Sequence, residues 1–305
     1  CHSIYSVIAY VGDTLKIIDR KTGRIIKEEE DSAKIIEFLY HSLVGRIFLK
    51  LFFARPYFSK LLSIYYKSPV SKNKIKGFVK KYGLDRALLK RDFKSFADFF
   101  SRKEKINVDN EGFLATASGK LRVFKIGEDK ELYLGKKKLS IMIKGNVYNT
   151  DKLLKAPLPD WAKGGYLLLY RLSLCDYHRY IYPIAGRCEK RKEISGRLES
   201  VRRDAAYWRA FAENKRVLEY WKTKSGDMLH MEIGAMLVGH IHNYNKLCFY
   251  IGGEKGYFSY GGSTIVEIVG KEIEIDEDIL ENSKRNFETK IRIGERIGYG
   301  KIKET

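Results

Sequence analysis

Beyond Phe113 the chain is cut into short β-type runs by glycine-bearing turns, and this rhythm limits its fold more than any other feature. The runs are Tyr166–Tyr170, Tyr180–Ile184, Val217–Trp221, Leu247–Ile251 and Thr264–Val269. They predict a mostly antiparallel β body, a barrel or sandwich. Short helices are expected near Asp151–Leu154 and Ala205–Phe211. No repeat, low-complexity tract or Pro/Ser linker interrupts the chain.

The N-terminal part has a different texture. In Ile35–Ala54 the residues Ile36, Leu39, Tyr40, Leu43, Ile47 and Leu51 recur at helical spacing. Asp31 or Ser32 is placed to cap this helix, and Pro56 to close it. Glu37, Arg46 and Lys50 interrupt its apolar run, which argues against a membrane span. Two readings stay open: a helix packed on the protein body, or one lying in a membrane interface. The expected fold is therefore α+β. Amphipathic, basic helices in residues 1–112 form a membrane-associating region packed on a β-rich body, residues 113–305.

Charge narrows the partners. The 305 residues carry 58 Lys and Arg against 38 Asp and Glu, a formal charge of +20. Lys67–Lys105 alone has thirteen basic against four acidic residues. Such an excess suits a polyanion, either nucleic acid or an anionic membrane surface. No nucleic-acid recognition module accompanies it, so no nucleic-acid partner is expected. Cys1, Cys175, Cys188 and Cys248 show no CxxC spacing. They are expected to be reduced, mostly buried thiols, which favours the cytoplasm.

Three common chemistries have no motif here: the GxxxxGK[ST] phosphate loop, HExxH and GxSxG. The histidines are His2, His41, His178, His230, His240 and His242. His240 and His242 alternate onto one face of a strand-like run, but no thiol or carboxylate cluster joins them, so no metal site is expected. Two segments carry possible chemistry. Asp176-Tyr177-His178-Arg179 ends an apolar run and reads either as a site or as a turn closed by an Asp–Arg pair. The second is Glu254–Thr264, whose Gly261-Gly262-Ser263-Thr264 step precedes a strand. It reads either as a tight turn or as a bent peptide whose hydroxyl is poised to attack the preceding carbonyl.

Six stretches in register resemble the phosphatidylserine decarboxylase family: FKSFADFFSR (93–102), IKGNVYNTDKLL (143–154), DYHR (176–179) with Pro183 and Gly186, AENKR (212–216), IGAMLVGHI (233–241) and GYFSYGGST (256–264). The resemblance runs from Phe93 to the C-terminus. It implies a proenzyme that cuts itself between Gly262 and Ser263, leaving chains 1–262 and 263–305, with Ser263 converted to a pyruvoyl group. That group is the electron sink for loss of CO2 from phosphatidylserine, giving phosphatidylethanolamine. The resemblance makes Ser263 and His178 catalytic, and places Asp176, Tyr177 and Arg179 at the substrate. It also implies a homodimer and a peripheral position on the cytoplasmic face of the cell membrane.

Two positions depart from the family pattern. The aspartate and second histidine of its self-cleavage relay fall here on Ser118 and Ile181. Neither side chain abstracts a proton. The alternative reading is therefore an uncleaved, inactive homologue that binds anionic membrane lipid.

Overall fold

The computed structural model describes residues 16–26, 56–138, 141–143, 146–148, 150–196, 212–234, 241–260 and 263–301. The helices expected over 35–54 and 205–211 lie outside these residues, as do Gly261, Gly262 and His240. Pro56 opens the helix Pro56–Lys67, where its fixed φ suits a first turn.

Strands dominate the regular structure of the described residues. Among these residues twelve strands form one large sheet, ten of them along its main path. Its path runs Cys248–Phe249, Gly186–Ile194, Arg216–Thr223, Gly226–Gly234, Ser263–Val269, Tyr166–Leu172, Gly119–Ile126, Glu288–Ile291, Ile17–Asp19, Ile25–Ile26. The ladder between Ile17–Asp19 and Glu288–Ile291 is parallel, so the sheet is mixed. The expected barrel is corrected: among the described residues the two ends of this path do not pair. Closure is unnecessary because other elements bury both faces. On one face, two three-stranded sheets contribute Tyr180, Phe258, Phe113, Ile273 and Ile297 to a core with Leu168, Tyr170 and Ile265. On the other, Leu153, Leu154, Leu158 and Ala162 cover Leu167, Leu169, Val266 and Ile268.

The strand Ser263–Val269 is central and buried at every position. It pairs with Gly226–Gly234 on one side and Tyr166–Leu172 on the other. A strand covered on both faces reads as a continuous apolar run, which is why STIVEIV lacks polar alternation. The sequence places five strands correctly. Tyr166–Leu172, Arg216–Thr223 and Ser263–Val269 extend their predicted runs, while Arg179–Ile181 and Cys248–Phe249 are shorter than expected. The helix Thr150–Leu154 also forms. The cysteine expectation needs correction: of Cys175, Cys188 and Cys248, only Cys188 is buried. Cys248 stands exposed on the edge strand beside buried Phe249.

Candidate active site

Ser263 is the first residue of its strand, opposite Gly234 on one neighbour and Leu172 on the other. Its hydroxyl is fully buried and has no hydrogen-bond partner. Hydroxyls are rarely left so, because an unmade buried hydrogen bond costs about 1–3 kcal/mol. The strand opposite Ser263 ends at Leu172, and the chain leaves it directly into the loop that carries Asp176–Arg179. Register alone thus brings the two sequence-predicted segments to one end of the sheet.

His178 is buried, and its Nδ1 lies 2.8 Å from the carbonyl oxygen of Asp176. That contact makes Nδ1 the donor and fixes Nε2 as the basic nitrogen of the neutral ring. The His178 carbonyl accepts from the Phe258 amide at 3.0 Å. The Phe100 ring lies 4.3 Å from the imidazole and 5.1 Å from Tyr260. Phe96 and Tyr66 also touch Tyr260, at 5.2 and 4.4 Å. Burial holds the Tyr260 hydroxyl above its ordinary range. Two helices, Pro56–Lys67 and Phe96–Phe100, therefore meet the residue that immediately precedes Gly261-Gly262-Ser263. The second of them, Phe96–Phe100, is fixed by reciprocal caps: Ser95 Oγ accepts the Asp98 amide and Asp98 accepts the Lys94 amide.

The other members of the DYHR stretch are engaged inside the protein. Asp176 accepts from Lys120 Nζ and from the Ser173 amide, both at 2.7 Å. The Tyr177 hydroxyl accepts the Glu104 amide at 3.1 Å. Arg179 donates to the carbonyls of Ser101 and Arg102, to Glu254 and to Tyr244. The Asp–Arg turn pair is therefore not formed: each residue has a distant partner instead.

Ser118 and Ile181, the departing relay positions, meet around Ile293. Ser118 Oγ accepts the Ile293 amide at 3.0 Å, and the Ile181 side chain packs with Ile293 and Leu114. Gly119 follows Ser118 because a Cβ there would lie 2.7 Å from the Arg171 carbonyl. At the two positions expected to depart from a relay, this chain has a mostly apolar corner.

One charged assembly escaped the sequence reading. Glu219, Glu232, Glu267 and His230 on the large sheet, and Lys255 on the three-stranded sheet that packs against it, are all fully buried. Lys255 contacts Glu232, and reaches Glu219 at 3.2 Å and Asn243 at 2.9 Å. His230 lies 3.0 Å from Glu267 and 3.2 Å from Glu232. Tyr170 donates to Glu267, and Arg191 and Trp221 donate to Glu219. With His230 protonated, three cations face three carboxylates. Burial by itself would raise the Glu232 carboxyl, but Lys255 and His230 outweigh it and hold the pKa at about 2. Burial opposes charging His230, yet its two carboxylate neighbours raise its pKa. The available signal was a charge inside an apolar run, as in MLHMEIG and STIVEIV.

His230 stands opposite Glu267, four positions along the strand from Ser263. At about 3.4 Å per residue it is out of reach of that hydroxyl. His242 stacks on Tyr257 at 4.5 Å and contacts Ser259 Oγ at 3.1 Å.

The family model for phosphatidylserine decarboxylase matches residues 93–299. The chain is 36% identical over 294 residues to phosphatidylserine decarboxylase proenzyme 2 of Clostridium acetobutylicum, covering 93% of this chain and 98% of the relative. It is 35% identical over 301 residues to the phosphatidylserine decarboxylase proenzyme of Clostridium perfringens, covering 93% and 99%. It is 33% identical over 304 residues to that of Fusobacterium nucleatum, covering 95% and 99%.

Proposed function

The chain belongs to the phosphatidylserine decarboxylase family, and from this premise we propose that it cuts itself at Ser263 and then converts phosphatidylserine to phosphatidylethanolamine and CO2. The observation that carries the reading is the buried, unpartnered Ser263 hydroxyl at the start of a central strand. A side chain destined for chemistry, not for structure, explains that missing partner.

In the cleavage step Ser263 Oγ gives up its proton and attacks the Gly262 carbonyl carbon. The Gly262–Ser263 C–N bond breaks, the freed nitrogen takes a proton, and an ester joins Gly262 to the Ser263 side chain. Loss of the Ser263 α-proton then expels the Gly262 carboxylate and leaves dehydroalanine, whose imine tautomer takes up water and releases ammonia, leaving a pyruvoyl group on the 263–305 chain. When present, that group supplies the electron sink for decarboxylation. The residues around it hold and move the proton. His178, with Nδ1 committed to the Asp176 carbonyl, presents Nε2 to take up and return a proton as CO2 leaves. Asp176, Tyr177 and Arg179 hold the loop that aims this imidazole at the serine headgroup.

The substrate is a bilayer lipid, and the helical region offers a surface for it. Leu61, Ile64 and Val70 are 60–67% exposed, in and just before the lysine-rich stretch 67–81. This pairing of apolar and basic side chains suits peripheral docking on an anionic, cytoplasmic membrane face.

An intact mass spectrum of the purified chain tests the proposal. We expect a small fragment beginning at residue 263 with a pyruvoyl mass, and CO2 release from phosphatidylserine. Ser263→Ala abolishes both. A single mass near 35.4 kDa would overturn the reading and leave the uncleaved, lipid-binding homologue.

A further inference from the structure

The described residues expose few large apolar side chains, and three of them fall within seven positions. Tyr244 is 45% exposed, Leu247 71% and Tyr250 65%. This segment is not a loosely held loop. Cys248–Phe249 pairs with Gly186 and Arg187 at the edge of the large sheet. Phe249 turns inward, stacks on Tyr182 at 4.0 Å and touches Trp221 at 4.9 Å. The Leu247 carbonyl accepts the Cys188 amide, and the Tyr250 carbonyl accepts the Gly253 amide. An inward aromatic anchor therefore fixes a backbone that holds Leu247 and Tyr250 in water.

The surroundings say what covers them. Lys246 Nζ lies 5.3 Å over the Tyr250 ring, and the neighbouring strand carries Lys190 and Arg187, the latter paired with Glu189, an excess of positive charge near the tip. A second copy of the chain would bring these like charges together across a two-residue edge strand, a poor template for pairing. An anionic lipid surface complements them, and accepts tyrosine and leucine side chains at headgroup depth. The segment also sits beside the candidate site. The Tyr244 hydroxyl accepts from Arg179, which in turn holds the Ser101 and Arg102 carbonyls at the end of the helix whose Phe100 lies against His178.

We propose that Leu247 and Tyr250, with Lys246 beside them, form a membrane-inserting tip: a second contact with anionic bilayer, separate from the helical surface and adjoining the DYHR loop. It rests on the reading that the substrate is a bilayer lipid.

The test uses the full chain and vesicles of phosphatidylglycerol and phosphatidylcholine, without phosphatidylserine. Leu247→Ser/Tyr250→Ser should weaken vesicle partition at least about tenfold. Lys246→Glu should weaken it less, about fivefold or more, and flatten its salt dependence. A polarity-sensitive fluorophore on exposed Cys248, in a Cys1→Ser/Cys175→Ser background, reads the tip directly without altering Leu247 or Tyr250. Its emission should shift to the blue on vesicles. No shift, or wild-type partition by the folded double variant, overturns the tip. So does a dimer, seen by light scattering, that the double variant dissolves while vesicle binding persists. CO2 release from detergent-dispersed phosphatidylserine is measured alongside. Its absence would remove the enzymatic reading, while the Cys248 shift still decides the tip.

Discussion

The corner around Ile293 and the interior around Lys255 are the two regions in which this chain handles polarity most differently. At the corner, Ser118 and Ile181, the positions that the resemblance assigns to a proton relay, make one hydroxyl–amide bond and apolar packing. In the interior, three carboxylates, a lysine, an arginine and a histidine form an interlocked network, nearly all of it without solvent exposure. The interior has ionisable groups in excess, but its histidine lies four strand positions from Ser263. The corner lies at the Ser263 end of the sheet, and the described side chains packed there are aliphatic apart from Tyr177. Reach counts as much as basicity in a proton relay, and a charged cluster in the wrong register serves the fold instead.

Breaking the interior should have the largest effect. Lys255→Met leaves Glu232 and Glu219 short of a cation in a dry setting. We expect about 3–5 kcal/mol of lost stability in urea unfolding. Adding Glu232→Gln to that variant should recover a large part of the loss, since the two residues touch. Additive losses in the double variant would show that the pair is not coupled. Titration tests the same cluster. The folded pKa of His230 is raised, so its contribution is complete below the unfolded value of 6.5 and is lost as the pH climbs through the folded value. That of Glu232 is lowered to about 2, so its contribution is complete above 4.5 and is lost as the pH falls toward 2. Thermal melts should therefore show greatest stability from these two groups between those limits, with a decline on the alkaline side. His230→Gln should flatten that alkaline decline.

Rebuilding the corner sharpens the contrast. Ser118→Asp with Ile181→His restores ionisable side chains beside the Ser263 end of the sheet. Placing an imidazole among Leu114, Ile293 and Ile106 should cost about 1–3 kcal/mol. In exchange, the appearance of the 263–305 fragment should quicken by about tenfold or more, followed by mass spectrometry after synthesis. An unchanged rate in a folded variant would show that these positions do not act on Ser263.

The sequence-legible part of the molecule is the part encoded locally. Glycine-punctuated apolar runs mark the strands, and the runs ending at Leu172 and beginning at Ser263 flag the two segments that the sheet brings together. The Asp176 partner was not legible. Its lysine lies 56 residues upstream, and only the pairing of Gly119–Ile126 with Tyr166–Leu172 brings it close. Nor was the interior cluster. Glu232, Glu267 and Lys255 come from three strands, and each looks like a stray charge until the register aligns them. The open sheet was missed for a related reason. Alternation predicts buried faces, and it does not say whether a sheet buries them by curling or beneath smaller sheets.

The smallest expected effect is at Ser118 itself. Its hydroxyl accepts the Ile293 amide at 3.0 Å in a half-buried setting, so Ser118→Ala removes one neutral hydrogen bond. Such a loss costs about 1 kcal/mol. If the corner is now purely structural, that variant should melt slightly earlier and yield the 263–305 fragment at the wild-type rate. A stalled cleavage at unchanged stability would mean that the hydroxyl still handles the Ser263 proton, and the division between an apolar corner and a charged interior would collapse. The same experiment on Lys255→Met supplies the reverse pattern. Stability should fall steeply there, while the surviving folded fraction cleaves at its ordinary rate, because the interior network holds the sheet without reaching the nucleophile.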